Sequence, residues 1–364
     1  MHLRSAAAIA ALCAAVASLH AQQPAATPQP SPPTTATITV NAQLVNLPVI
    51  VRDKNGALIQ NLTKDDFALR VDGQPQIIRY FDKDNDLPLT LGLLVDTSGS
   101  VRSALDDERL ASGSFFDQMM TAPTGRTPDQ AFLIEFAHEA DLLQDLTASR
   151  PKLRAALDQV GAENRDNQDA SNGNSGSGGY GHHRGGGFHG GGGTTLYDAI
   201  FLASTQLMQK QHGRKALVLL TDGEDRGSME TLASAIASAQ RAETVVYAIY
   251  FKGEQHGYGG HGGGYGGRGG YPGGGQRGGE NHVDGKKVLA QITGATGGRL
   301  FEESDKQNFA AIYTQIAEEL RSQYRLGYTP DAALAADGFH RIDLTLAKEK
   351  KLIVQTRDGY YGGQ

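Results

Sequence analysis

One stretch constrains this chain more than any other. Residues 91–95 form a short, nearly continuous apolar run that ends abruptly in Asp96, Ser98 and Ser100. A run that is apolar at every position fits a strand buried on both faces, as in the middle of a parallel sheet. In open α/β sheets, ligands gather beyond the carboxyl ends of the strands, which is where this turn would lie. One carboxylate and two hydroxyls on alternate residues of a tight turn can aim their oxygens at one centre. An all-oxygen set suits a hard divalent cation, Mg²⁺ above all, or Mn²⁺.

The pattern around this strand repeats. Apolar runs at 130–136, 215–220 and 244–250 read as further strands. Helical stretches are expected at 101–120, 151–160, 195–211, 229–241, 286–293 and 308–324, with a short strand at 299–301 and an edge strand at 140–146. Strands alternating with helices at this spacing imply a mostly parallel sheet with helices on both faces, a Rossmann-like α/β architecture. Two more loops carry oxygen ligands. Thr194 closes a Gly-Gly-Gly-Thr run, and Asp222 follows the apolar run at 215–220. Thr195 and Asp198 open the next helix as a capping-box-like pair, which favours a structural role for both.

The segments outside this region are different. Residues 1–21 read as a secretory signal peptide, with Arg4 before an Ala-rich apolar stretch and Ala21 as the cleavage point. Residues 22–37 are a Pro-rich linker. Residues 38–86 form a β-unit, with a strand at 45–52, the turn pair Asn55-Gly56, a helical turn near Thr63, and a hairpin of 68–71 and 77–81 about Asp72-Gly73. The α/β domain spans 87–322. In the last segment, 323–364, residues 342–346 alternate strictly and 352–356 follow, as half-buried antiparallel strands do. The two β-rich ends are expected to pair into one small β-domain; two separate mini-sheets are the alternative.

Two inserts, 164–193 and 253–282, hold 28 of the 47 glycines. Neither carries enough apolar surface to fold alone. Their histidines and tyrosines, among them His182, His183, His189, His256, His261, Tyr258 and Tyr265, are candidates for a partner-binding collar. Histidine-rich tracts also bind transition metals, and a solvated glycine loop with incidental histidines is the plainer reading.

Composition narrows the function. The single cysteine, Cys13, lies inside the signal segment, so thiolate catalysis, disulfides and Cys-ligated zinc are not expected in the mature chain. Without Arg4 the charge is 33 basic residues against 40 acidic ones, a net of −7. No basic stripe occurs, so nucleic acid is not an expected partner. No transmembrane segment is expected after residue 21, and the protein is expected to be exported to the periplasm, envelope or medium.

The Asp-x-Ser-x-Ser turn, with Thr194 and Asp222, resembles the metal-ion-dependent adhesion site of von Willebrand factor type A domains. Order, loop type and position after apolar strands all match. More narrowly, the layout resembles an exported bacterial family usually called "VWFA-related", mostly of unassigned function. The shared features are the signal peptide, the Thr-Lys-Asp-Asp-Phe segment at 63–67 followed by Asp72-Gly73, the type A domain, and Tyr-x-Leu-x-Tyr-x-Pro at 324–330. The glycine inserts depart from the ordinary type A pattern. The resemblance implies a divalent cation at Asp96, Ser98, Ser100, Thr194 and Asp222, bridged to an Asp or Glu carboxylate of a partner protein, and no enzyme activity. Two other readings stay open: a metal-dependent hydrolase or phosphotransferase on a similar sheet, and a His-rich transition-metal-binding envelope protein. Against the enzyme, Asp96 has no second carboxylate two residues on, no placed lysine and no general base nearby.

Overall fold

The computed structural model describes residues 44–83, 87–120, 127–162, 193–252, 284–304, 307–331, 333–348 and 351–363. The signal segment, the linker and the inserts' His182, His183, His189, His256, His261, Tyr258 and Tyr265 lie outside the described residues.

The centre is a six-stranded sheet. Its strands are β5 (Leu89–Asp96), β6 (Gln130–Phe136), β7 (Ala140–Thr147), β8 (Arg214–Thr221), β9 (Val245–Tyr250) and β10 (Leu300–Glu302), in the order β10-β9-β8-β5-β6-β7. All neighbours are parallel except β7, which returns antiparallel on β6 as the edge. Every residue of β5 is buried, as its apolar run requires.

Alternate residues of β5 feed two cores. Leu89, Leu91, Leu93 and Val95 pack with α1 (Leu105–Met119), α2 (Arg150–Leu157) and α6 (Phe309–Arg321). Leu94 packs on the other face with α3 (Leu196–Leu202), α4 (Leu232–Arg241) and α5 (Gly285–Thr296). Gly92 shares that second face. A Cβ there would lie 2.3 Å from Phe132 Cζ and 2.5 Å from a Leu217 methyl, so the neighbours already fill the space a side chain would need. Across α1 and α6, the Phe115 and Tyr313 rings stack at 4.5 Å, and Ser112 and Tyr313 share a 2.7 Å hydrogen bond.

The two ends of the chain build a β-sandwich. One sheet has the order β13-β1-β11-β4, with β1 (Val45–Arg52), β4 (Tyr80–Asp82), β11 (Tyr324–Tyr328) and β13 (Ile353–Gln355). The other has the order β14-β12-β2-β3, with β2 (Phe67–Val71), β3 (Gln74–Gln76), β12 (Gly338–Leu346) and β14 (Gly359–Gly362). The pairs β1–β11 and β2–β12 each join an N-terminal strand to a C-terminal one, which rules out separate mini-sheets. Leu47, Val49, Tyr324 and Leu326 face Phe67, Leu69, Ile342 and Leu344 in one core. Strand β1 is buried on its other side too, where Ile50 joins the core of the α/β body.

Several boundaries differ from the sequence expectation, each for a physical reason. The helix expected from Met229 starts at Leu232, because Thr231 caps it by accepting from Ser234 N at 3.1 Å. The Met229 and Glu230 N–H groups are bound instead by the Asp198 carboxylate, at 3.0 and 2.8 Å. The helix expected to reach Tyr324 ends at Arg321, and Tyr324 opens β11 with Tyr324, Leu326 and Tyr328 buried. The stretch from 195 to 211 is α-helical only to Leu202 and continues as a π and then a 3₁₀ turn. Helix α5 runs past 293 to Thr296, where Gly297 ends it at φ 84°. The hairpin about Asp72-Gly73 pairs β2 with β3, not with 77–81, and Tyr80–Asp82 crosses to the other sheet. Strand β14 was not expected: Gly-Tyr-Tyr-Gly has no alternation to signal it.

Candidate metal centre

In the parallel register, Asp96 pairs with Phe136, and Val95 pairs with Leu220. Strands β5 and β8 therefore end at one level, and their following loops meet. Ser100 Oγ donates to Asp222 Oδ2 at 2.7 Å, and Ser98 Oγ and Ser100 Oγ lie 3.2 Å apart. Asp96 is fully buried; its Oδ1 accepts from Ser98 N at 2.9 Å and its Oδ2 from Thr221 Oγ1 at 2.6 Å. Asp222 is also buried and holds Glu224 N at 3.0 Å, which shapes the loop behind it.

The structure thus brings four of the five expected oxygen-bearing residues, Asp96, Ser98, Ser100 and Asp222, into one short network. Thr194 sits on the adjoining loop. Its carbonyl accepts from Arg226 N at 3.0 Å and Gly227 N at 3.2 Å, four and five residues past Asp222. It is buried, and among the described residues its hydroxyl makes no hydrogen bond to the other four.

Burial pushes the Asp96 carboxyl up to about 7, against the hydrogen bonds from Ser98 and Thr221, and the Asp222 charge raises it further. No lysine or arginine among the described residues forms an ion pair with Asp96 or Asp222. Two carboxylates brought together without a basic partner, ringed by hydroxyls, fit a hard divalent cation. Among the described residues no group of three or more His, Cys, Asp or Glu side chains gathers as a metal site.

Thr221 is the residue sequence reasoning missed. It orients Asp96 and also accepts from Gly223 N at 3.0 Å. Its only sequence signal is its place one residue before Asp222. Thr195 and Asp198 are structural, as expected, but not as a capping box: Thr195 Oγ1 donates to Ala137 O at 3.2 Å, while Asp198 holds the 229–230 turn. Arg226 pairs with Glu224 at 2.7 Å, and exposed His138 accepts from Gly193 N at 3.2 Å.

The described residues that flank both inserts lie at this end of the sheet. A Cβ on Gly161 would sit 3.9 Å from Thr97 Cγ2, and one on Gly193 would sit 3.4 Å from Gly227 Cα. Gly285 packs so closely on the Asp222 loop that a Cβ would come within 2.2 Å of Asp222 O. Lys252 follows β9, whose Tyr250 pairs with Thr221.

Residues 91–224 match the family model described as von Willebrand factor type A domain. Domains of that family commonly bind proteins through a divalent cation. No curated protein matches the chain. Among solved structures, the chain is similar to the conserved hypothetical protein BatB from Bacteroides thetaiotaomicron, with 15% identity, a TM-score of 0.40, and coverage of 64% of this chain and 100% of that one. A von Willebrand factor type A protein from Catenulispora acidiphila shows 12% identity and a TM-score of 0.42, over 89% of this chain and 75% of that one. Proximal thread matrix protein 1 from the mussel byssus, solved with a zinc-occupied MIDAS motif, shows 14% identity and a TM-score of 0.42, over 69% of this chain and 49% of that one. At such identities no residue role transfers. The match to the von Willebrand factor type A domain thus covers residues 91–224, from β5 to the loop that carries Asp222.

Proposed function

We propose that the protein is an exported, divalent-cation-dependent protein-binding module. Mg²⁺ is held by Asp96, Ser98, Ser100, Thr194 and Asp222, directly or through water, and a partner's Asp or Glu carboxylate completes its coordination. The observation that carries this reading is the 2.7 Å hydrogen bond from Ser100 to Asp222, which joins the loops after two different strands into one oxygen cluster. Only two of the five ligands are carboxylates; they balance the 2+ charge formally but leave the coordination sphere uncrowded by anions. The metal stays electrophilic toward one more anionic oxygen.

Mg²⁺ binds only the folded state and so raises the melting temperature; at a hundred times its Kd the gain is about 2.7 kcal/mol. Asp222→Ala or Asp96→Ala abolishes that rise. If both variants respond to Mg²⁺ like the parent, the site is misassigned. The partner is what the protein retains in Mg²⁺ and releases in EDTA.

No helix among the described residues is long and apolar enough to cross a membrane. The flanks of both inserts at the metal end support the idea that the inserts contribute to partner contact there. Deleting 164–192 and 253–282 should then weaken partner capture while leaving the Mg²⁺ response in place.

A further inference from the structure

The opposite end of the sheet has a site of its own. A cavity of about 240 Å³ opens where the amino-terminal ends of β8 and β9 meet the sandwich strands β1 and β11. Its wall mixes apolar surface from Pro48, Leu87 and Val245 with the amides of Asn46 and Gln323.

Three arginines stand in or beside this cleft, and each has a partner among the described residues. Arg325 pairs with Asp82 at 2.8 Å. Arg357, just behind the wall, pairs with Glu243 at 3.3 Å and donates to Asn46 O at 2.8 Å. Arg214 donates to Leu87 O at 3.0 Å and Leu320 O at 2.9 Å. Lys215 also lines the cavity, and among the described residues its ammonium makes no hydrogen bond and no ion pair. Burial pushes its pKa down, the cost of holding a charge away from water; the nearby Glu243 carboxylate opposes this without contacting it. An ammonium on the wall of a cleft, short of an acceptor, calls for an anion.

We propose that this cleft binds a small organic carboxylate through an ion pair with Lys215. The apolar wall selects the organic body of the ligand. The amides of Asn46 and Gln323 offer hydrogen bonds to its remaining polar atoms. Inorganic phosphate fits less well: it is compact, carries more charge than one ammonium balances, and leaves Pro48, Leu87 and Val245 facing nothing apolar.

The test is calorimetric titration of the full chain in EDTA, so that no metal-bound carboxylate contributes. The probes are benzoate, its uncharged isostere benzamide, and inorganic phosphate, at constant ionic strength. Benzoate should bind at least about tenfold more tightly than either of the others, a difference of about 1.4 kcal/mol. Lys215→Met should lose that preference and Lys215→Arg should retain most of it. Acetylation of Lys215 in the unaltered protein should slow when benzoate is present, a readout that survives if the Met variant fails to fold. Equal binding of benzoate and benzamide, equal binding of benzoate and phosphate, or unchanged acetylation would each overturn the proposal. None of these results bears on the Mg²⁺ response.

Discussion

The two ends of the central sheet handle charge in opposite ways. At the metal end, three buried carboxylates have no ion pair among the described residues: Asp222 accepts from the Ser100 hydroxyl, Asp96 from the Thr221 hydroxyl, and Glu108 on α1 has neither oxygen hydrogen-bonded. At the other end, acids and bases pair, with Lys215 the exception. Buried Glu319 on α6 pairs with Arg52 of β1 and, at 2.9 Å, with Arg299 before β10. Arg357 pairs with Glu243, and Arg325 with Asp82. The difference separates two jobs. Arg52–Glu319 and Arg357–Glu243 fasten the sandwich to the α/β body. Unpaired acids at the metal end are what the proposed cation site is built from.

If the base is a fastening, breaking one pair there should be costly. Glu319→Ala leaves Arg52 buried without its carboxylate and should destabilise the protein by about 3–5 kcal/mol in urea unfolding. A loss under about 1 kcal/mol would mean that Ile50 and its apolar neighbours hold the joint without the ion pair.

At the metal end the same experiment should run the other way. The folded-state Asp96 carboxyl, near 7, lies above its ordinary 3.8. Between those pH values the native state holds more protons than the unfolded one, so this group's contribution to stability is present at low pH and is lost as pH rises toward 7. In EDTA, Asp96→Asn should therefore be more stable than the parent at pH 8, by a margin on the order of a few kcal/mol, and not at pH 4. In Mg²⁺ the order at pH 8 should reverse, because the cation binds the ionised carboxylate. Equal urea midpoints for parent and variant at pH 8 in EDTA would show that Asp96 bears no such strain.

The smallest effect is expected at Glu108. Burial raises its carboxyl well above the ordinary range, with the Asp96 charge adding to the shift and Arg109 opposing it. Glu108→Met removes an unsatisfied buried acid and should stabilise the metal-free protein by about 1–3 kcal/mol. Destabilisation by thermal melting would show that the carboxylate has a partner in solution.

The sequence makes one end of this comparison far easier to read than the other. Asp96 and Asp222 stand out because each stands just past a nearly continuous apolar run, 91–95 before Asp96 and 216–220 before Thr221-Asp222. Thr221 does not, since a threonine ending a strand is ordinary and its role exists only through the Val95–Leu220 register. Glu319 and Arg52 look like surface charges in a helix and a strand. Their burial depends on β1 lying across the type A body, which no local pattern encodes. Lys215 likewise reads as the polar start of a buried strand. Helix ends shifted wherever a distant side chain took over a local hydrogen bond, as Asp198 does for Met229 and Glu230. Strict alternation at 342–346 and the strand at 45–52 made the split sandwich legible, while Tyr324 was claimed by the helix before it because tyrosine suits either.

The split sandwich also sets a timetable. Strand β1 takes its partners from β11 and β13, and β2 takes β12, so strands made early are completed by strands made more than 250 residues later. At about 5–20 residues per second, their apolar faces wait on the order of tens of seconds for their neighbours. The type A body contains its own strand partners and can close meanwhile, presenting the face on which Ile50 will settle. Folding of the whole should then show a fast phase from the body and a slower one from closure of the ends. In that interval Leu47, Val49 and Val51 remain without the neighbours they pack against in the finished fold.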